Sequence, residues 1–80
     1  MEPYELELIE KYRKIDEELD RLWKEHIEYE KEIEKLLSKP YLTPQEDLML
    51  KELKKKKLAG KTKMINIIQR YSQQEANNET

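Results

Sequence analysis

The stretch Ser38-Lys39-Pro40-Tyr41-Leu42-Thr43-Pro44-Gln45-Glu46 divides the chain into two arms, and its reading decides the fold. Thr43-Pro44-Gln45-Glu46 has the form of a capping box. Thr43 stands at the N-cap, Pro44 supplies the fixed φ suited to the first helical position, and Glu46 can reach back to the cap backbone. A helix is therefore predicted to begin at Pro44. Pro40 disfavours helical backbone at Lys39, so an upstream helix must stop near Ser38. The break is marked from both sides.

Upstream, apolar or seam residues recur at Leu8, Tyr12, Ile15, Leu19, Leu22, His26, Tyr29, Ile33 and Leu36. Their steps alternate between four and three, the period of a coiled-coil seam. Pro3 suits a first helical turn, and Glu2, Glu5 and Glu7 complement the positive end of a helix dipole. Helix 1 is predicted over 3–38, the loop over 39–43 and helix 2 over 44–71. The second stripe is less regular: Leu50 and Leu53, then Lys57 and Lys61, then Met64, Ile68 and Tyr71. Gly60 lies mid-helix, where it costs about 1 kcal/mol relative to Ala. Residues 73–80 offer nothing to bury and are predicted to form a disordered tail.

These segments predict an all-α chain: one antiparallel two-helix hairpin, coiled-coil-like, over residues 1–72. Folding it back at the loop pairs Ile33 with Leu50, Leu19 with Met64, Ile15 with Ile68 and Tyr12 with Tyr71. The same register sets Trp23 opposite Gly60 and His26 opposite Lys57. The glycine would then make room for the indole.

Composition narrows the chemistry. The chain has 80 residues, of which 42% are charged and 36% hydrophobic, with a single His and no Cys. Disulfides and thiolate metal sites are excluded, and one imidazole completes no triad. No enzyme, cofactor, metal or small-molecule substrate is expected. No apolar run is long enough for a membrane span, and the acidic start does not resemble a signal peptide, so a cytoplasmic location is expected.

His26 is read as a core histidine, with a pH-sensitive contact as the functional alternative. Lys54, Lys55, Lys61 and Lys63 are candidate phosphate contacts for an accessory nucleic-acid binder. The competing reading is a solvated face paired with acids of helix 1 such as Glu18, Glu25 and Glu32. Lys57 and Lys61 can cover the seam with their stems while their ammonium groups reach water. Ile9, Trp23 and Ile27 widen one apolar edge of helix 1, and Leu58 and Ile65 flank the stripe of helix 2. A two-helix unit has no element to cover them. These five are the candidate protein interface, for a homodimer forming a four-helix bundle or for a partner helix.

The run Pro40-Tyr41-Leu42-Thr43-Pro44-Gln45-Glu46, followed by Leu53-Lys54-Lys55-Lys56-Lys57-Leu58 and by Lys61, Met64 and Ile65, resembles the YdcH-like family of small bacterial proteins. Leu22, His26, Tyr29, Ile33 and Leu36 are similar to the family's His-containing first-helix pattern. The resemblance spans residues 19–68. It implies a compact helical hairpin, a bacterial origin and a cytoplasmic setting, with no reaction to inherit. The sequence departs from that pattern at Gly60 and Thr62.

Overall fold

Both halves of the Thr43 capping box are formed. The Glu46 N–H donates to Thr43 Oγ1 at 3.1 Å, and the Thr43 N–H donates to Glu46 Oε1 at 3.1 Å. Lys39 pairs with the same Glu46 carboxylate from the far side of the loop, holding it well below the usual carboxylate range. In the computed structural model, which describes residues 1–78, the helix set off by this cap runs over Pro44–Asn78. It is preceded by two helices, α1 (Pro3–Tyr12) and α2 (Glu17–Leu37), and is therefore α3.

The described residues are all-helical or in connections, but the helices number three and not two. The helix expected over 3–38 breaks at Arg13–Asp16. Asp16 takes an extended backbone (φ −126°, ψ 108°) and its Oδ1 accepts from the Leu19 N–H at 2.9 Å, making it the N-cap of α2. Glu17, Glu18 and Asp20 then fill a first turn that favours negative charge. Ile15, which continues the sequence stripe, lies in the break and is 70% exposed, so its expected pairing with Ile68 does not occur.

The break redirects the chain. Met1, Leu8, Trp23 and Tyr71 pack around one cluster formed by Ile9, Tyr12, Leu19, Leu22, Met64, Ile67 and Ile68. Had α1 continued the line of α2, Met1 would stand roughly 25 Å beyond Leu19, at 1.5 Å per residue. It packs into the cluster instead because α1 folds back along the groove between α2 and α3. The fold-back is held by Tyr12 stacked on Tyr71 with ring centroids 4.7 Å apart, by Tyr71 Oη donating to Asp16 Oδ2 at 2.8 Å, and by Arg13 Nε on Asp20 at 2.8 Å.

Burial records the result. Where three helices meet, Leu19 and Met64 are 0% exposed and Ile9 is 1% exposed. Nearer the loop, α2 and α3 run antiparallel alone, and Ile33, Leu36, Leu50 and Leu53 form a second cluster with Tyr29 and Leu42 at its edge. Its members keep 6–8% exposure because no third element closes over them. The register pairing of Ile33 with Leu50 and of Leu19 with Met64 is consistent with these clusters. The tail expected to be disordered from residue 73 is instead the end of α3 as far as Asn78, with Lys11 on Glu75 at 3.0 Å; residues 79 and 80 lie outside the described part. Among the described residues, no helix is long and apolar enough to cross a membrane.

Candidate functional site

Three surfaces on this scaffold could carry function: the surroundings of His26, the lysine face of α3, and the groove at the loop end. His26 sits midway along α2, on the stripe that faces α3, and is 6% exposed. Its ring stacks on Trp23, the centroids 5.7 Å apart and the planes 14° from parallel. Nε2 lies 3.1 Å from Glu30 Oε1, and the same oxygen is 3.4 Å from Lys57 Nζ. Nδ1 is buried without a hydrogen-bond partner. Burial pushes the imidazole pKa down; Glu30 opposes this and the Lys57 ammonium adds to it. His26 and Lys57 thus meet across the helices, as the register requires, through a shared carboxylate.

Trp23 does not occupy space left by Gly60. A Cβ built at Gly60 would meet nothing within 4 Å, whereas Trp23 lies half-buried against the three-helix cluster. The glycine opens onto a cleft lined by His26, Tyr29, Lys56, Lys57 and Lys63 among others.

Along α3, Lys54, Lys55 and Lys63 are exposed and Lys61 is half-buried. Among the described residues, no carboxylate lies within 4.0 Å of these four ammonium groups or of Lys56. The acids expected to neutralise them are engaged elsewhere or unpaired: Glu25 holds Arg21 at 2.8 Å, and among the described residues neither Glu18 nor Glu32 makes an ion pair. Glu30 with Lys57 is the one salt bridge between α2 and α3 within the helices themselves, among the described residues. The expected pairing of helix 1 acids with helix 2 lysines is thus confined to one contact among the described residues, Lys11 with Glu75 joining the arms with the opposite polarity.

The five candidate interface residues separate. Ile9 is buried under the fold-back of α1, so it is a core residue and presents no surface. Trp23, Ile27 and Ile65 are half-buried, and Leu58 is 63% exposed. The structure does not bring Leu58 and Ile9 to one edge. A larger apolar display was missed: Leu37, Tyr41, Leu48 and Met49 are all more than half exposed, and all lie at the loop end. Sequence periodicity could not reveal it, because none of the four is on a seam position. Of the four, Met49 lines a groove of about 670 Å³, with Leu36 and Leu53 beside it at the base. No group of three or more His, Cys, Asp or Glu side chains is placed to hold a metal among the described residues.

Comparison with known proteins returns one result. The family model described as a protein of unknown function, DUF465, matches residues 19–68. That segment is α2 from its third residue, the capped loop, and α3 as far as Ile68. No curated protein and no solved structure matches the chain.

Proposed function

We propose, from the premise that this chain belongs to the DUF465 family, also called YdcH-like, that it is a non-catalytic interaction module and that its partner is a second copy of itself. The observation that carries this reading is the uneven cover of the α2–α3 pair. α1 closes one half, while the loop-end half keeps a groove with an apolar base that Met49 helps to line, and Leu37, Tyr41 and Leu48 are exposed at the same end of the molecule.

The rim of that groove argues for a like partner. Glu32, Glu46 and Glu52 lie along it together with Lys35, Lys39 and Lys56. A two-fold interface sets each patch against its own copy, so a rim of balanced, mixed sign can satisfy itself, where a one-signed rim would repel. Small helical units without disulfides also gain stability by association.

Sedimentation equilibrium over a wide concentration range tests this. Wild type is expected to dimerise and Met49→Glu to be monomeric, because a carboxylate would be desolvated among Leu36 and Leu53. Met49 is half exposed, so the substitution leaves the monomer folded. A wild type that stays monomeric at every concentration would remove the reading. Dissociation by Leu58→Glu but not by Met49→Glu would move the interface to the other edge.

A second reading rests on its own observation, the exposed lysines Lys54, Lys55 and Lys63 with no carboxylate in reach among the described residues. A nucleic-acid binder would lose affinity with salt at a log–log slope of about −0.9 per phosphate contact on duplex DNA, and the slope would flatten when these lysines are changed to Gln. A salt-independent or absent interaction would set this reading aside.

A further inference from the structure

The packing of α2 on α3 is interrupted at Gly60. The space there belongs to a cleft of about 180 Å³ between the helices. On α3 its wall is Lys56, Gly60 and Lys63, spaced by four and three residues and hence on one face, with Lys57 at the inner edge. On α2 the wall includes Glu25 and His26.

The charges around the cleft are unevenly committed. Glu25 is held by Arg21 at 2.8 Å, so it offers little to the lysines opposite. Lys57 is 3.4 Å from Glu30, while Lys56 and Lys63 have no carboxylate within 4.0 Å among the described residues. His26, 6% exposed, lines the same cleft with its Nδ1 unpartnered. Since Nε2 faces Glu30, a neutral ring carries its proton there, and Nδ1 becomes a donor only when a second proton arrives.

We propose that the Gly60 cleft is a binding site for a doubly charged tetrahedral oxyanion, a phosphate group either free or as a monoester, held by the ammonium groups of Lys56, Lys57 and Lys63 beside His26. Ammonium groups on a mobile stem suit an anion read as a point charge, and three lysines line this one recess, which a larger residue at position 60 would fill. The groups facing His26 are Glu25, Tyr29 and Glu30 from α2, Lys56, Lys57 and Lys63 from α3, and the Met1 amino group. An anion added to this set favours the imidazolium form. By linkage, a bound dianion raises the His26 pKa, and the imidazolium strengthens its binding by the same factor over the pH range in which the anion stays doubly charged. Lys56 also stands on the rim of the loop-end groove, whereas Lys57, Lys63 and His26 lie outside it and are present in the monomer and the dimer alike.

His26 is the only imidazole, so its ring resonances are an unambiguous probe. The experiment titrates the full chain at about pH 7.5, where a phosphate monoester is dianionic, with inorganic phosphate, with glycerol phosphate, and with sodium chloride at matched ionic strength. The expected result is a saturable shift of the His26 signals by phosphate and a featureless drift with chloride. Lys63→Gln should weaken binding about tenfold, the loss of one charge-assisted contact. Gly60→Leu should abolish saturation while circular dichroism shows the helices intact. Saturation by both anions means the phosphate group is what is read, and saturation by inorganic phosphate alone means a site for the free ion. A response that only tracks ionic strength, or that is unchanged in Lys63→Gln and Gly60→Leu, overturns the proposal.

Discussion

Replacing Asp16 with Ala should be among the most damaging changes on the surface of this protein, because one carboxylate performs two tasks. Oδ1 caps α2 through the Leu19 N–H, and Oδ2 accepts from Tyr71 Oη at 2.8 Å, joining the bend to α3. Loss of an N-cap costs about 1 kcal/mol. The hydrogen bond from Tyr71 contributes about another 1 kcal/mol net, since it competes with water. Together they give about 2 kcal/mol, which for a chain of this size lowers the melting temperature by roughly 12 °C. Thermal and urea unfolding followed at 222 nm measure it. The double-mutant cycle with Tyr71→Phe isolates the second task, with an expected coupling of about 1 kcal/mol. The acid response supplies an independent check. The Leu19 N–H, then Tyr71, lower the Asp16 pKa in the folded state. The stabilisation is therefore full above the ordinary carboxylate pKa and lost as the pH falls through the depressed one. Asp16→Ala should flatten that acid limb. A total loss below about 0.5 kcal/mol, within the range of ordinary surface substitutions, or zero coupling to Tyr71, would refute the claim that this bend seats α1.

Other substitutions read other parts of the structure. Gly60→Ala should stabilise by about 1 kcal/mol, from helix propensity alone, because a Cβ meets nothing within 4 Å; a lower melting temperature would show a contact that the structure does not contain. Ile67→Ala should cost about 2–4 kcal/mol by leaving a cavity among three helices, whereas Ile15→Glu should change stability by less than about 0.5 kcal/mol; equal costs at the two positions would contradict the break at Arg13–Asp16. His26 is depressed chiefly by burial, so the unfolded chain takes up its proton first. Stability should fall as the pH drops below about 6.5 and level off below the folded pKa, and His26→Leu should remove that segment of the profile; a wild-type curve with no such segment would show that the imidazole is not buried.

The loop and the start of α3 were legible because capping is local: Thr43, Pro44 and Glu46 satisfy one another within four residues, whatever the rest of the chain does. The all-helical class and the pairing of α2 with α3 were legible for a related reason, since a regular apolar stripe on each arm leaves few ways to bury both. The bend at Asp16 was also written in the sequence. Asp16-Glu17-Glu18 carries an N-cap and an acidic first turn, but the unbroken spacing of Tyr12, Ile15 and Leu19 masked it.

What the sequence could not specify was where α1 goes. Its apolar residues would suit a continuous helix, a dimer or a fold-back equally well. Only three-dimensional packing, with Ile9 and Tyr12 set against Ile67 and Ile68, chose the last. That choice buried Ile9, extended the useful length of α3 past Tyr71, and left the exposed apolar side chains at the loop end. Local chemistry thus determined where helices start and stop. The competition among apolar faces for a limited buried volume, a property of the whole chain, determined which of them remain open to a partner.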